Sequence, residues 1–233
     1  MNGPASPSTV QAVHPVCWRQ TTVWATILGA VEDRPHRPAP YADLTGFIDA
    51  AGGVTPSSRA EIAAATADLL VQAGRAAADD RFIALVDRVG IETLGALWRD
   101  SDPVSLPGAL WALYLLRQWV RTNPEQVRLL WRAGAPLAPA EAAVAGFGDD
   151  ADTTAVQAGA DAILRGVYRG DLAVALERAA ATFRVLAAGR RDRAEAVLDA
   201  DVRVAECASA GRNDQVATDL TAAARRWRAG TLA

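Results

Sequence analysis

The chain has 233 residues and a formal charge of −3, and all 24 of its basic residues are Arg. That length allows one large domain or two small ones, with a core that needs neither disulfide nor metal. The charge divides as 8 Arg against 12 acids over residues 1–102 and 16 against 15 over residues 103–233, so neither half argues for nucleic acid from charge alone.

About a fifth of the chain is Ala, and with Arg in place of Lys this is the composition that a GC-rich genome produces. Cys17 and Cys207 stand almost two hundred residues apart, without the spacing of a zinc site or a disulfide framework. Both are expected to be reduced and buried. No positively charged region followed by an apolar run marks a secretory signal. The longest uncharged stretches, near Val23 to Val31 and Leu106 to Leu116, fall short of the roughly 20 residues a membrane helix needs. Together these point to a cytoplasmic protein.

Residues 1–11, rich in Pro and small polar residues, predict a disordered tail ahead of a single helical domain over 12–233. Trp18, Val23, Trp24, Ile27 and Leu28 give the apolar set of a helix from 16 to about 31. The run Arg34-Pro35-His36-Arg37-Pro38-Ala39-Pro40 then breaks the periodicity as an extended connector. A short helix over 41–51 ends at Gly52-Gly53, and Thr55-Pro56 caps a longer one that turns Ile62, Leu69 and Leu70 inward. Asp79 or Asp80 starts the next, with Phe82, Ile83, Leu85 and Val86 apolar and Gly90 as its end. Residues 91–98 form another short helix. The turn Asp100-Ser101-Asp102-Pro103 marks a sub-boundary near 100–105.

Leu106 to Gly134 carries the clearest pattern. Pro107 suits a first helical turn, and Trp111, Leu115 and Trp119 recur at four-residue spacing on one face. Arg117 and Arg121 form a separate basic stripe expected to face outward. At Asn123-Pro124 the chain stops and restarts, because the residue before a proline is pushed out of the α region. In the second helix Val127, Leu130 and Trp131 are apolar, Arg128 and Arg132 basic, and Gly134 is placed to stop it in the left-handed conformation.

A weaker Ala-rich helix over 139–147 precedes the acidic loop Asp149-Asp150-Ala151-Asp152. Helices follow at about 154–169, ended by Gly170, and at 172–188, capped by Asp171 and ended by Gly189. A final pair covers 192–210 and 214–229. Alternation of period two never persists, so the expected fold is all-α: a multi-helix bundle or orthogonal array of about nine to eleven helices. Gly170 to Ala200 has the small-residue rhythm of a helical repeat but superimposes on no other segment at a fixed period.

Candidate chemistry is sparse. The acidic loop invites comparison with the aspartate-rich metal motif of isoprenoid cyclases and synthases, but its spacing is compressed by one residue. A second metal motif starting at Asn213-Asp214 would need a hydroxyl at 217 and a carboxylate at 221, where this chain has Ala217 and Thr221. His14 and His36 are the only histidines, too few for a triad or a histidine metal site, and His14 with Cys17 has no second pair. Gly166 and Gly170 follow no strand, so they make no phosphate loop. No cofactor is implied. Arg184, Arg190, Arg191, Arg193 and the terminal Arg225, Arg226 and Arg228 complement helix C-termini or offer anion patches.

Leu106-Pro107-Gly108-Ala109-Leu110-Trp111-Ala112-Leu113-Tyr114-Leu115-Leu116-Arg117-Gln118-Trp119, with Gly170-Asp171-Leu172-Ala173-Val174-Ala175-Leu176-Glu177-Arg178-Ala179-Ala180, resembles a family of uncharacterised all-helical proteins from actinobacteria. The resemblance covers the C-terminal half and rests on helix-core positions. It implies an origin and a fold type and carries over no catalytic residue.

These features favour a binding protein over an enzyme. The first expectation is protein–protein interaction through Arg117, Arg121, Arg128, Trp131 and Arg132, with a partner of acidic surface or a second copy of the chain. The alternative is a small apolar ligand held between helices by Trp111, Tyr114, Leu115 and Trp119. A third is nucleic-acid binding through the C-terminal arginines, against which the acidic N-terminal half counts.

Overall fold

The computed structural model describes residues 56–77, 91–148 and 151–233. Expectations for residues 1–55, 78–90 and the pair Asp149-Asp150, including those for His14, Cys17 and His36, lie outside the described residues. Eight helices and no strand occur among the described residues, against nine to eleven helices expected for the chain. They are α1 (Pro56–Ala77), α2 (Ile91–Trp98), α3 (Leu106–Thr122), α4 (Pro124–Gly134), α5 (Pro139–Ala145), α6 (Thr153–Arg169), α7 (Leu172–Ala196) and α8 (Ala200–Arg228). None of them is long and apolar enough to cross a membrane.

Local chemistry sets most of the boundaries. The Ser105 hydroxyl accepts from Gly108 N at 3.3 Å with Pro107 in the first turn, so the start of α3 is capped and its missing N–H costs nothing. Asp152, Asp171 and Asp199 cap α6, α7 and α8 by accepting from the backbone N–H of Ala155, Ala173 and Asp201. Gly146, at φ 76°, ends α5 in the left-handed conformation.

Three expected helix ends are corrected. Gly134 takes no left-handed stop, since α4 passes into Ala135 in right-handed geometry. Gly189 does not end α7, which continues to Ala196, and Gly211 does not divide α8. Glycine inside a helix costs about 1 kcal/mol relative to Ala, too little to break a helix whose neighbours are buried. Gly134 and Gly189 are instead the residues that let α4 and α7 meet backbone to backbone.

Helix α3 lies at the centre. Every residue from Leu106 to Arg117, with Trp119 and Val120, is buried, as expected of a helix that is apolar nearly all round rather than striped. Around it stand α1, α2, α6, α7 and α8, while α7 and α8 pair along their length as the longest helical hairpin. One apolar cluster extends from Ala63 on α1 to Ala224 on α8. The turn near 100–105 is bound to the C-terminal end of the chain: Leu106 N donates to Ala233 O at 2.9 Å and Arg226 Nη1 to Val104 O at 3.1 Å.

Candidate functional site

The encirclement of α3 decides where its arginines go. Arg117 is buried and donates from Nε to Asp161 Oδ1 of α6 at 2.6 Å, so it belongs to the interior and not to an outward stripe. Trp131 is likewise buried, its Nε1 donating to Gly148 O at 2.9 Å and its ring 4.6 Å from that of Phe147. These are corrections to the outward-facing arrangement expected from sequence: a helix with neighbours on all sides has no outer face to give. Arg121 and Arg132 are exposed and Arg128 is half-buried.

Arg121 at the end of α3 and the α4 arginines therefore supply what surface the set has. Arg128 donates from Nε to Glu125 Oε2 at 2.9 Å and a second hydrogen bond from Nη2 to Oε1 makes the pair bidentate. That hydrogen bonding holds the Glu125 carboxyl below its ordinary range, with a small opposing push from desolvation. Glu125, Arg128 and Arg132 share a shallow cleft of about 420 Å³ with Ala151, Asp152 and Thr153 at the start of α6. Leu129, between the two arginines in sequence, is exposed, as are Leu137 and Val144 beyond the helix end.

The residues proposed to line a ligand cavity are all buried, and aromatic neighbours pack against them. Tyr114 and Tyr168 share a hydroxyl–hydroxyl hydrogen bond, and the Tyr114 ring stacks on Trp98 at 5.9 Å. The Trp119 ring lies under the Arg190 guanidinium at 5.4 Å, with its Nε1 3.5 Å from Gln126 Oε1. Leu115 is buried, and Trp111 abuts Gly95 with its indole N–H lacking an acceptor among the described residues. Burial pushes the Tyr168 phenol up to about 12, against a smaller downward pull from Tyr114.

The C-terminal arginines are engaged one at a time. Arg184 donates to Thr221 Oγ1 at 2.8 Å, Arg191 pairs with Asp214, and Arg228 reaches Glu177 Oε2 at 2.7 Å. Arg75 covers the half-buried Trp227 ring at 5.1 Å. Among the described residues no three His, Cys, Asp or Glu side chains converge as metal ligands. Asp152 is a helix cap, and Asn213 and Asp214, the start of the hypothetical second metal motif, are respectively buried in the α7–α8 seam and paired with Arg191. Cys207 is free and exposed on α8, correcting the expectation that it is buried.

Sequence reading missed one polar group of the interior, Arg190, Glu206, Arg212 and Asn213. Arg190 and Asn213 become inward neighbours only when α7 runs through Gly189, which reads as a stop, and α8 runs through 211–213, where the sequence pattern places a gap between two helices. Arg190 Nη1 donates to Glu206 Oε2 at 2.8 Å, and Arg193 approaches the same carboxylate at 3.5 Å. Arg212 Nη2 donates to Ser209 Oγ at 2.7 Å.

No family model matches this chain, and no curated protein and no solved structure is significantly similar to it.

Proposed function

We propose that this chain is a non-enzymatic helical protein of the cytoplasm that works by binding another protein, through the outer face of α4 and the edge of α3 beside it. Arg128 and Arg132 of α4 with Arg121 of α3 supply the guanidinium groups, and Leu129 of α4 is exposed. Trp131 and Arg117, expected in the same surface, act behind it by fixing α4 and α3 to the core. The observation that carries the reading is the placement of Arg128 and Arg132 at i and i+4 on a helix whose opposite side is locked to α7 through Gly134. Such a face is rigid, so a partner meets it at little ordering cost. Guanidinium groups favour a partner with carboxylates, and apolar Leu129 gives the contact a desolvated centre.

The test is a photo-crosslinking amino acid placed at Leu129 in the native host, with Arg132→Glu as the second arm. A discrete adduct that disappears with Arg132→Glu supports the reading. Failure to form one, or an adduct indifferent to charge reversal, removes this face.

A second reading, a small ligand against Trp111, is favoured by one observation, the buried indole N–H without an acceptor. Such a ligand would carry a hydrogen-bond acceptor, and Trp111→Phe would abolish its binding without unfolding the chain.

A further inference from the structure

We propose that Arg190, Arg212 and Asn213 bind a small oxyanion, of phosphate or carboxylate type, in the seam between α7 and α8. The pairing of the hairpin puts them at one level. Arg191 pairs with Asp214, which brings the helix turns that carry Arg190 and Asn213 alongside each other on the two helices of the hairpin, and Arg212, next along α8, lies near enough to Arg190 to feel its charge. Asn213 is 0 % exposed and Arg190 5 %.

Their hydrogen-bonding capacity is not met by the described residues. The buried Nε–H groups of Arg190 and Arg212 find no acceptor there, and neither the amide nitrogen nor the amide oxygen of Asn213 finds a partner. Burying such groups unpaired is costly, and more so when they are charged. Three donors among them, the two Nε–H groups and the Asn213 amide nitrogen, are a large cost for one seam unless an acceptor answers them.

Charge selects what that something is. The groups facing the level are Arg190, Arg193 and Arg212, with Glu206 as the inward carboxylate and the Arg191–Asp214 pair neutral at the edge. Glu206 already serves Arg190 through Nη1 and Arg193 through Nη2, which leaves an excess of positive charge and three N–H donors. Arg212 is held below its ordinary basicity by desolvation and by the nearby Arg190 charge, the mark of two like charges kept together. An oxyanion relieves that repulsion and accepts from all three donors, whereas an apolar ligand would leave both unanswered.

Arg212 is half-buried, so it is the member of the group that lies nearest to solvent. On the inner side the Trp119 ring backs Arg190 and closes the site toward the core.

The experiment uses the full chain and reads the thermal midpoint in inorganic phosphate, in succinate and in chloride at equal ionic strength. A ligand at a hundred times its dissociation constant raises the midpoint by about 5 to 10 °C for a chain of this size. A saturable rise in phosphate alone assigns phosphate chemistry, and one in succinate alone assigns carboxylate. Arg212→Gln, a change at a half-exposed position, abolishes either response while the protein stays folded in chloride. Asn213→Leu also abolishes it and, having no amide to satisfy, loses no stability in chloride. Equal midpoints in all three salts, or a response that survives Arg212→Gln, overturn the proposal.

Discussion

Gly134 of α4 and Gly189 of α7 each stand where a methyl group would strike the backbone of the other helix: a Cβ on Gly134 would lie 2.0 Å from Val185 O, and one on Gly189 2.0 Å from Leu130 O. Backbone atoms cannot step aside as a flexible side chain can. Alanine at either position gains about 1 kcal/mol of helix propensity but forces the helices apart, at a typical cost of about 1 to 3 kcal/mol or more. Gly134→Ala and Gly189→Ala should therefore lower the urea midpoint. Gly211→Ala, where the space is open, should raise it. If all three stabilise alike, α4 and α7 do not cross at these residues.

Arg117 and Asp161 join the central helix to α6 within the interior. Asp161 keeps partial access to solvent while Arg117 has almost none, so removing the acid takes a charged partner from a buried cation. Asp161→Ala should cost about 1 to 3 kcal/mol, short of the loss seen when a fully buried pair is broken. Replacing both residues by Leu should recover part of it, because no charge is then left behind. A single variant as stable as the native chain would mean that the pair is open to water.

Sequence patterns made α3 and α4 legible because their signals are local: Ser105 and Pro107 for the start, Asn123-Pro124 for the break. The aspartate caps at 152, 171 and 199 follow the same rule; capping accounts for the acidic loop that holds Asp152 and for Asp171, while Asp199 does not read as a cap. What sequence could not give was how many sides of α3 are covered. Trp111, Leu115 and Trp119 fit an amphipathic stripe, yet Ala109, Ala112 and Leu113 also meet neighbours, and Arg117 is drawn inside by an acid 44 residues away. Gly189 shows the same limit: a glycine that stops a helix and one that lets two helices touch look alike until the second helix is known.

Tyr168 offers a titration that reads the packing of α6. Its hydroxyl meets Tyr114, and its ring presses on α1 at Gly74, where a Cβ would come within 2.1 Å of the ring. Burial disfavours the phenolate and raises its pKa from about 10 to about 12. Because the folded value lies above the unfolded one, the stabilisation is complete below about pH 10 and is lost as pH rises toward 12. Absorbance titration should show a tyrosine that ionises two units late, and Tyr168→Phe should delete that component. A chain whose tyrosines all titrate near 10 while folded would contradict the burial.

Glu125 and Arg128 test the proposed binding face. The hydrogen bond from Arg128 keeps the Glu125 carboxyl low, and that from Arg228 does the same for Glu177. With folded values depressed, any contribution of these pairs is present at neutral pH and above, and is lost as pH falls below the ordinary glutamate range. Carboxyl NMR should find both groups titrating low, with Arg128→Gln returning Glu125 alone to its usual value. Each pair keeps its carboxylate open to solvent, with only Arg128 half-buried, so the native fold should survive their loss. Glu125→Gln then separates structure from function: it frees the Arg128 guanidinium for an acidic partner, so crosslinking yield from position 129 should rise. A fall in yield would mean that the partner meets the carboxylate, and that its contacting surface is basic.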